Sequence, residues 1–169
     1  MSTRPPLRRE DRKMENRLLA QQLVVELGKT LTVPDLALDE SHSHCVLVFG
    51  DDLVVDMAFE EESGRLMLSC WLDELPAGNS GPLLRELLGA NLYWHRTQGA
   101  VLAMEESSNG VILTYGVHVV ETSAAEFEEL LHAFVDMAEH WRARVRSTAT
   151  AVPPAQIDVP RPPGSGSYA

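Results

Sequence analysis

The chain has 169 residues, 44% of them hydrophobic, a formal net charge of −11 and two cysteines. That length suits one domain with a real core, no apolar run approaches a membrane span, and two cysteines make no disulfide framework. The charge is uneven: residues 1–13 carry five basic side chains (Arg4, Arg8, Arg9, Arg12, Lys13) and two acidic ones (Glu10, Asp11), leaving a body acidic enough to repel nucleic-acid phosphates and anionic lipid.

Residues 1–13 read as a basic, flexible leader without the apolar centre of a secretory signal. A first helix is predicted from Met14 to about Gly28, with Pro34 blocking extension. At 100° per residue Leu19, Ala20, Leu23, Val24, Leu27 and Leu31 share one arc, whereas Met14, Leu18 and Val25 fall almost opposite, beside Gln21. One core needs only the first stripe, so the second is read as a surface for a partner. Scattered exposed apolar residues are the plain alternative. Three strands follow: Cys45–Phe49, Leu53–Phe59 and Arg65–Leu72, joined at Gly50-Asp51-Asp52 and at the acidic turn EEESG.

Pro82 suits the first turn of a second helix, predicted to run through Leu84, Leu87, Leu88, Asn91, Leu92, Tyr93 and Trp94 until Gly99 closes it. This is more apolar surface than such a helix usually buries on its own sheet. A subunit interface and deep burial within one domain both account for it. Ala100–Glu105 is a fourth strand, Asn109-Gly110 a hairpin turn, and Val111–Val120 a fifth strand. Ser123 and Glu126 form a capping box ahead of a last helix with the stripe Phe127, Leu130, Leu131, Phe134, Ala138, Trp141 and Val145. Arg142, Arg144 and Arg146 suit the dipole at its end. From Ser147 the sequence turns Pro-rich and loses apolar period. The expected organisation is a leader (1–13), a body (14–146) and a tail (147–169). The order α-β-β-β-α-β-β-α is α+β, a twisted antiparallel sheet packed with helices.

Catalytic signatures are sparse. The stretch SHSHC brings His42, His44 and Cys45 together, but in a strand the histidines share one face and Cys45 takes the other. A structural zinc site needs four converging ligands, and the other histidines, with Cys70, stand isolated. There is no nucleophile elbow and no phosphate-binding glycine loop. Glu60, Glu61 and Glu62 fall in a turn. The expectation is a non-enzyme with no cofactor and no metal, in a reducing cytoplasm.

The stretch LLRELLGANLYWHRTQGAVLAMEESSNGVIL, with Ala90-Asn91-Leu92, Thr97 and Gly99-Ala100 ahead of a strand and an acidic hairpin, resembles the class I type III secretion chaperones of the Tir-chaperone (CesT) family. Leu23, Leu27, Gly28 and Leu31, leading to Leu38-Asp39 and Cys45–Phe49, resemble that family's opening; Phe127, Leu130, Phe134, Ala138 and Trp141 resemble its last helix. The resemblance covers about residues 14–146. It implies a bacterial cytoplasmic homodimer that binds the N-terminal region of secreted effectors in extended form and delivers them to the secretion ATPase, with no nucleic-acid partner and no membrane insertion. It places effector contacts at Met14, Leu18, Gln21, Val25, Val46, Val48 and Phe49, and the dimer contact at Leu84, Leu88, Asn91, Leu92 and Trp94. The leader and tail depart from the minimal pattern and leave open one client, several, or a part in export order. A non-catalytic adaptor of the same fold, with a folded partner, is the alternative.

Overall fold

The computed structural model describes residues 9–40, 43–75, 78 and 80–150. The elements in chain order are α1 (Arg9–Thr30), β1 (His44–Phe49), β2 (Leu53–Glu60), β3 (Arg65–Glu74), α2 (Gly81–Asn91), a 3-10 turn (Leu92–Trp94), β4 (Val101–Glu105), β5 (Gly110–His118) and α3 (Ala124–Thr150). This is the predicted order. The strands form one antiparallel sheet in the order β1-β2-β3-β5-β4.

Both terminal boundaries move outward from the sequence reading. Residues 9–13, assigned to the leader, are helical: Glu10 and Asp11 sit in the first turn, where the helix dipole favours acids. Arg9 and Lys13 also pair with Glu62 of the β2–β3 turn. Residues 147–150, assigned to the tail, extend α3, and the Ser147 and Thr148 hydroxyls donate back to the Arg144 carbonyl. Residues 1–8 and 151–169 lie outside the described residues.

Alternation along the strands sends Leu47, Val55, Met57, Leu66, Leu68, Cys70, Leu72, Leu113 and Val117 to one face, where they are buried. Helix α1 lays Ala20, Leu23, Val24 and Leu27 on the core, and α3 lays Phe127, Leu131, Phe134, Ala138, Trp141 and Val145 there. Leu19 and Leu31 reach only its margin, half-buried. Gly28 lets the chain fold back after α1: a Cβ at this position would stand 2.7 Å from Leu36 Cβ. Only a bare backbone permits that approach.

Helix α2 is shorter than predicted. It stops at Asn91, and Tyr93 and Trp94 take positive φ of 56° and 55°, a conformation bulky residues avoid. The cause is tertiary. Asn91 Nδ2 donates to the Leu102 carbonyl and Asn91 Oδ1 accepts from the Leu102 amide, both at 2.9 Å. One side-chain amide thus satisfies a backbone pair on β4, the last strand of the sheet, and blunts its edge. Asn91→Ala is expected to cost about 2 kcal/mol, the order of two such bonds. Urea unfolding measures the loss, and faster amide exchange at Leu102 locates it.

Helix α3 opens on the expected capping box. The Ser123 amide donates to Glu126 Oε2 at 2.8 Å, and the Glu126 amide donates to Ser123 Oγ at 3.3 Å. Its arginines do more than meet a dipole. Arg142 is buried against Asp52 of the β1–β2 turn. Arg146 Nε bonds Asp73 at 2.6 Å, and Arg144 and Arg96 share Glu86 of α2. These guanidinium contacts hold the Asp52, Asp73 and Glu86 carboxyls below the usual range. The end of α3 is therefore tied to a turn, a strand end and α2.

Candidate functional site

Among the described residues, three apolar surfaces remain open once the core is filled. The first runs along α1, where Met14 and Leu18 are 68% and 65% exposed. Val25, from the same predicted stripe, is half-buried and lines an open groove with Gly28, Val33, Pro34 and Leu36. Gln21, assigned to the stripe, has a structural task instead: its Oε1 accepts from the Leu38 amide at 3.0 Å and holds the returning loop on the helix.

The second surface is the sheet face turned away from α1 and α3. The register sets Val48, Val54, Trp71, Ile112 and Ala103 in one row across the strands. The next row holds Val46, Asp56, Ser69, Thr114 and Val101. Every one of these ten residues is exposed or half-buried, and among the described residues no helix buries them. Val46 and Val48, expected among the effector contacts, lie on this open face. Phe49 does not: it follows the parity of Cys45 and Leu47 and packs half-buried against the core. Because the His44 carbonyl accepts from the Asp39 amide, outside the β1–β2 pair, strand alternation directs the backbone groups of Val46 and Val48 to the free edge of β1. Among the described residues no strand pairs with that edge, and an unpaired edge is a template for strand pairing.

Trp71 lies on this open face, in the middle of the sheet. Its six-membered ring lies over Gly110, where an added Cβ would fall 1.8 Å from the ring. The indole is thus seated on bare backbone while 43% of the residue stays exposed. The signal in the sequence was parity: Trp71 alternates with the buried Cys70 and Leu72. Asp56 was missed because a lone acid in a strand resembles any solvated residue. His44 Nε2 stands 2.5 Å from Asp56 Oδ1, and His44 Nδ1 stands 3.7 Å from Asp39. Asp56 Oδ1 is shielded from solvent and, close as His44 stands, has no hydrogen bond.

The third surface lies on α2 and the turn after it. Leu88, Leu92, Tyr93 and Trp94 are all more than half exposed. Leu84, also assigned to the dimer contact, is half-buried beside them. Asn91, assigned there as well, is committed to β4 as described.

The polar groups around these surfaces are engaged in local structure. Hydrogen bonds from the Ser63 hydroxyl, and from the Glu62 and Ser63 amides, lower the Glu60 carboxyl. Hydrogen bonds from Ser107 and Ser108 take the Glu105 carboxyl down to about 2. Burial pushes the thiol of Cys45 up to about 12, with Asp56 and Asp39 adding to it, and that of Cys70 up to about 11. Both stay protonated at neutral pH and are poor nucleophiles. Among the described residues no group of three or more His, Cys, Asp or Glu is placed to hold a metal; His42 lies outside them. No described helix is long and apolar enough to cross a membrane.

Helices on one face of a five-stranded antiparallel sheet, with the other face open, form a secretion-chaperone fold. The Tir chaperone protein (CesT) family matches residues 22–142, and the chain belongs to that family. A comparison with curated proteins found no match. Among solved structures, a chain of the ExsC–ExsE complex is 25% identical with a TM-score of 0.63, covering 74% of this chain and 92% of that one. A chain of the HopA1–SchA chaperone–effector complex is 18% identical with a TM-score of 0.65, covering 82% and 99%. A chain of the ExoU–SpcU complex from the type III secretion system of Pseudomonas aeruginosa is 16% identical with a TM-score of 0.55, covering 72% and 93%.

Proposed function

We propose that this protein is a type III secretion chaperone that works as a cytoplasmic homodimer. It holds the N-terminal region of one or more secreted effectors in extended form, keeps them export-competent and presents them to the secretion ATPase. It makes and breaks no covalent bonds and needs no cofactor. The observation that carries this reading is the pair of open apolar surfaces on α1 and on the outer sheet face, in a chain whose core is already closed. Family membership supports it, and so does the structural likeness to chains of complexes described as chaperone–effector.

The physics suits a holder. An unfolded effector segment exposes side chains that aggregate; burying them is worth about 25 cal/mol per Å² of apolar area. The free edge of β1 adds backbone pairing by strand addition. Ordering the segment opposes binding, so a long contact is required. Two copies lengthen the surface and raise the effective concentration of the second contact.

The test is co-expression with the effector encoded nearest to this protein, followed by co-purification. Met14→Asp with Leu18→Asp is expected to lower effector capture at least tenfold while the mass of the free chaperone stays unchanged. Capture at the wild-type level removes α1 from the guest surface. Failure of wild-type protein to capture any secreted effector overturns the reading.

A further inference from the structure

We propose that the outer sheet face selects guest segments carrying a lysine or arginine among apolar residues, with Asp56 receiving the cation and Trp71 forming its apolar floor. This deepens the chaperone reading and rests on it.

The argument begins with the composition of the face. One row, Val48-Val54-Trp71-Ile112-Ala103, is wholly apolar, and the next passes through Asp56, Ser69 and Thr114. An apolar surface alone would accept any greasy segment. A carboxylate in its midst penalises a guest that covers it without a partner, because burying an uncompensated charge is costly. A guest that brings a cation turns that cost into a charge-assisted bond. Asp56 has room for one. His44 closes on Oδ1, which is shielded from solvent, but 40% of the Asp56 side chain stays exposed on the open face. The Ser69 and Thr114 hydroxyls, 3.5 Å apart, offer further acceptors along the same row.

Trp71 completes the receptor. It lies on the same face of β3 as Ser69, the residue paired with Asp56, and two residues along the strand from it. Its seat on Gly110 sets the indole in place before any guest arrives. The aliphatic stem of a lysine or arginine packs on such a ring, and the charged end is attracted to the ring face. The net charge of −11 favours approach of a basic segment over an acidic one. Charge complementarity thus commits the face to an extended, cationic and apolar guest.

The experiment is selection of random 15-residue peptides displayed on phage against the immobilised full-length chain, its Asp56→Asn variant and its Trp71→Ala variant. Circular dichroism and light scattering confirm fold and mass. Wild type is expected to enrich apolar peptides with lysine or arginine over aspartate or glutamate by roughly ten- to hundredfold, the range for a hydrogen bond to a charged group. Asp56→Asn is expected to keep the apolar enrichment and lose the cation preference. Trp71→Ala is expected to lose most of the enrichment. Apolar peptides without charge preference on wild type overturn the proposal and leave the chaperone reading standing. Absence of any enriched peptide on wild type overturns both. A cation preference that survives in Asp56→Asn removes Asp56 from the assignment. A Trp71→Ala chain of half the wild-type mass assigns the face to a second copy and overturns the proposal.

Discussion

Leu88→Asp combined with Leu92→Asp is expected to convert the proposed homodimer into monomers, read as a halved mass by light scattering and sedimentation. Leu88 lies on α2 and Leu92 in the 3-10 turn that follows; both side chains are largely exposed, and the inner face of α2, Leu83, Leu87 and Ala90, is already buried in its own subunit. Water-facing leucines four residues apart, followed by Tyr93 and Trp94, make a continuous stripe with no role in the monomer's core. Such patches mark association sites. A two-fold interface contains each residue twice. Removing four buried leucines at about 1.5–3 kcal/mol each amounts to about 6 kcal/mol or more. That weakens association by roughly 10⁴-fold, before the cost of burying four carboxylates. Helical content is expected to stay unchanged, since neither leucine supports the fold. A variant with the wild-type mass places the subunit contact elsewhere.

Trp141→Ala is expected to cost about 3–5 kcal/mol, the usual range for truncating a buried aromatic. That is a large fraction of the roughly 5–15 kcal/mol that holds a domain together. Trp141 is completely buried on α3. Its Nε1 donates to the Arg96 carbonyl at 3.4 Å, and the Arg96 guanidinium stacks 4.9 Å above its ring. Truncation therefore opens a cavity and frees the 92–99 segment, which carries Tyr93 and Trp94. Two readouts are expected to move together: the urea midpoint falls at fixed protein concentration, and self-association weakens. Trp141→Phe retains most of the volume and is expected to lose clearly less. If self-association is untouched while stability falls, the 92–99 segment does not present the subunit contact.

The periodicities were legible because they record burial directly. Leu23, Val24 and Leu27 recur at helical spacing, and Leu53, Val55, Met57 and Phe59 at strand spacing; all seven are buried. The capping box at Ser123 was equally readable, since both partners lie within four residues. Boundaries were less so. Nothing local marks Asn91 as the end of α2, because the groups that stop it belong to Leu102, eleven residues on. The same holds for Gln21, whose partner is the Leu38 amide, and for Arg142, whose partner is Asp52. Polar side chains on helices read as solvated or dipole-matching until the fold brings a distant group to them.

The sequence by itself determined the order of elements, the core stripes, the acidic balance and the family, all of which depend on residue types at short, regular spacing. Only the tertiary structure decided which strand faces stay open, that Phe49 joins the core while Trp71 lies outside it, and that Asp56 sits beside His44 within a largely apolar surface. The reason is that strand alternation defines two faces but not which one the helices will cover. That choice is made by the sheet order β1-β2-β3-β5-β4 and by where α1 and α3 pack.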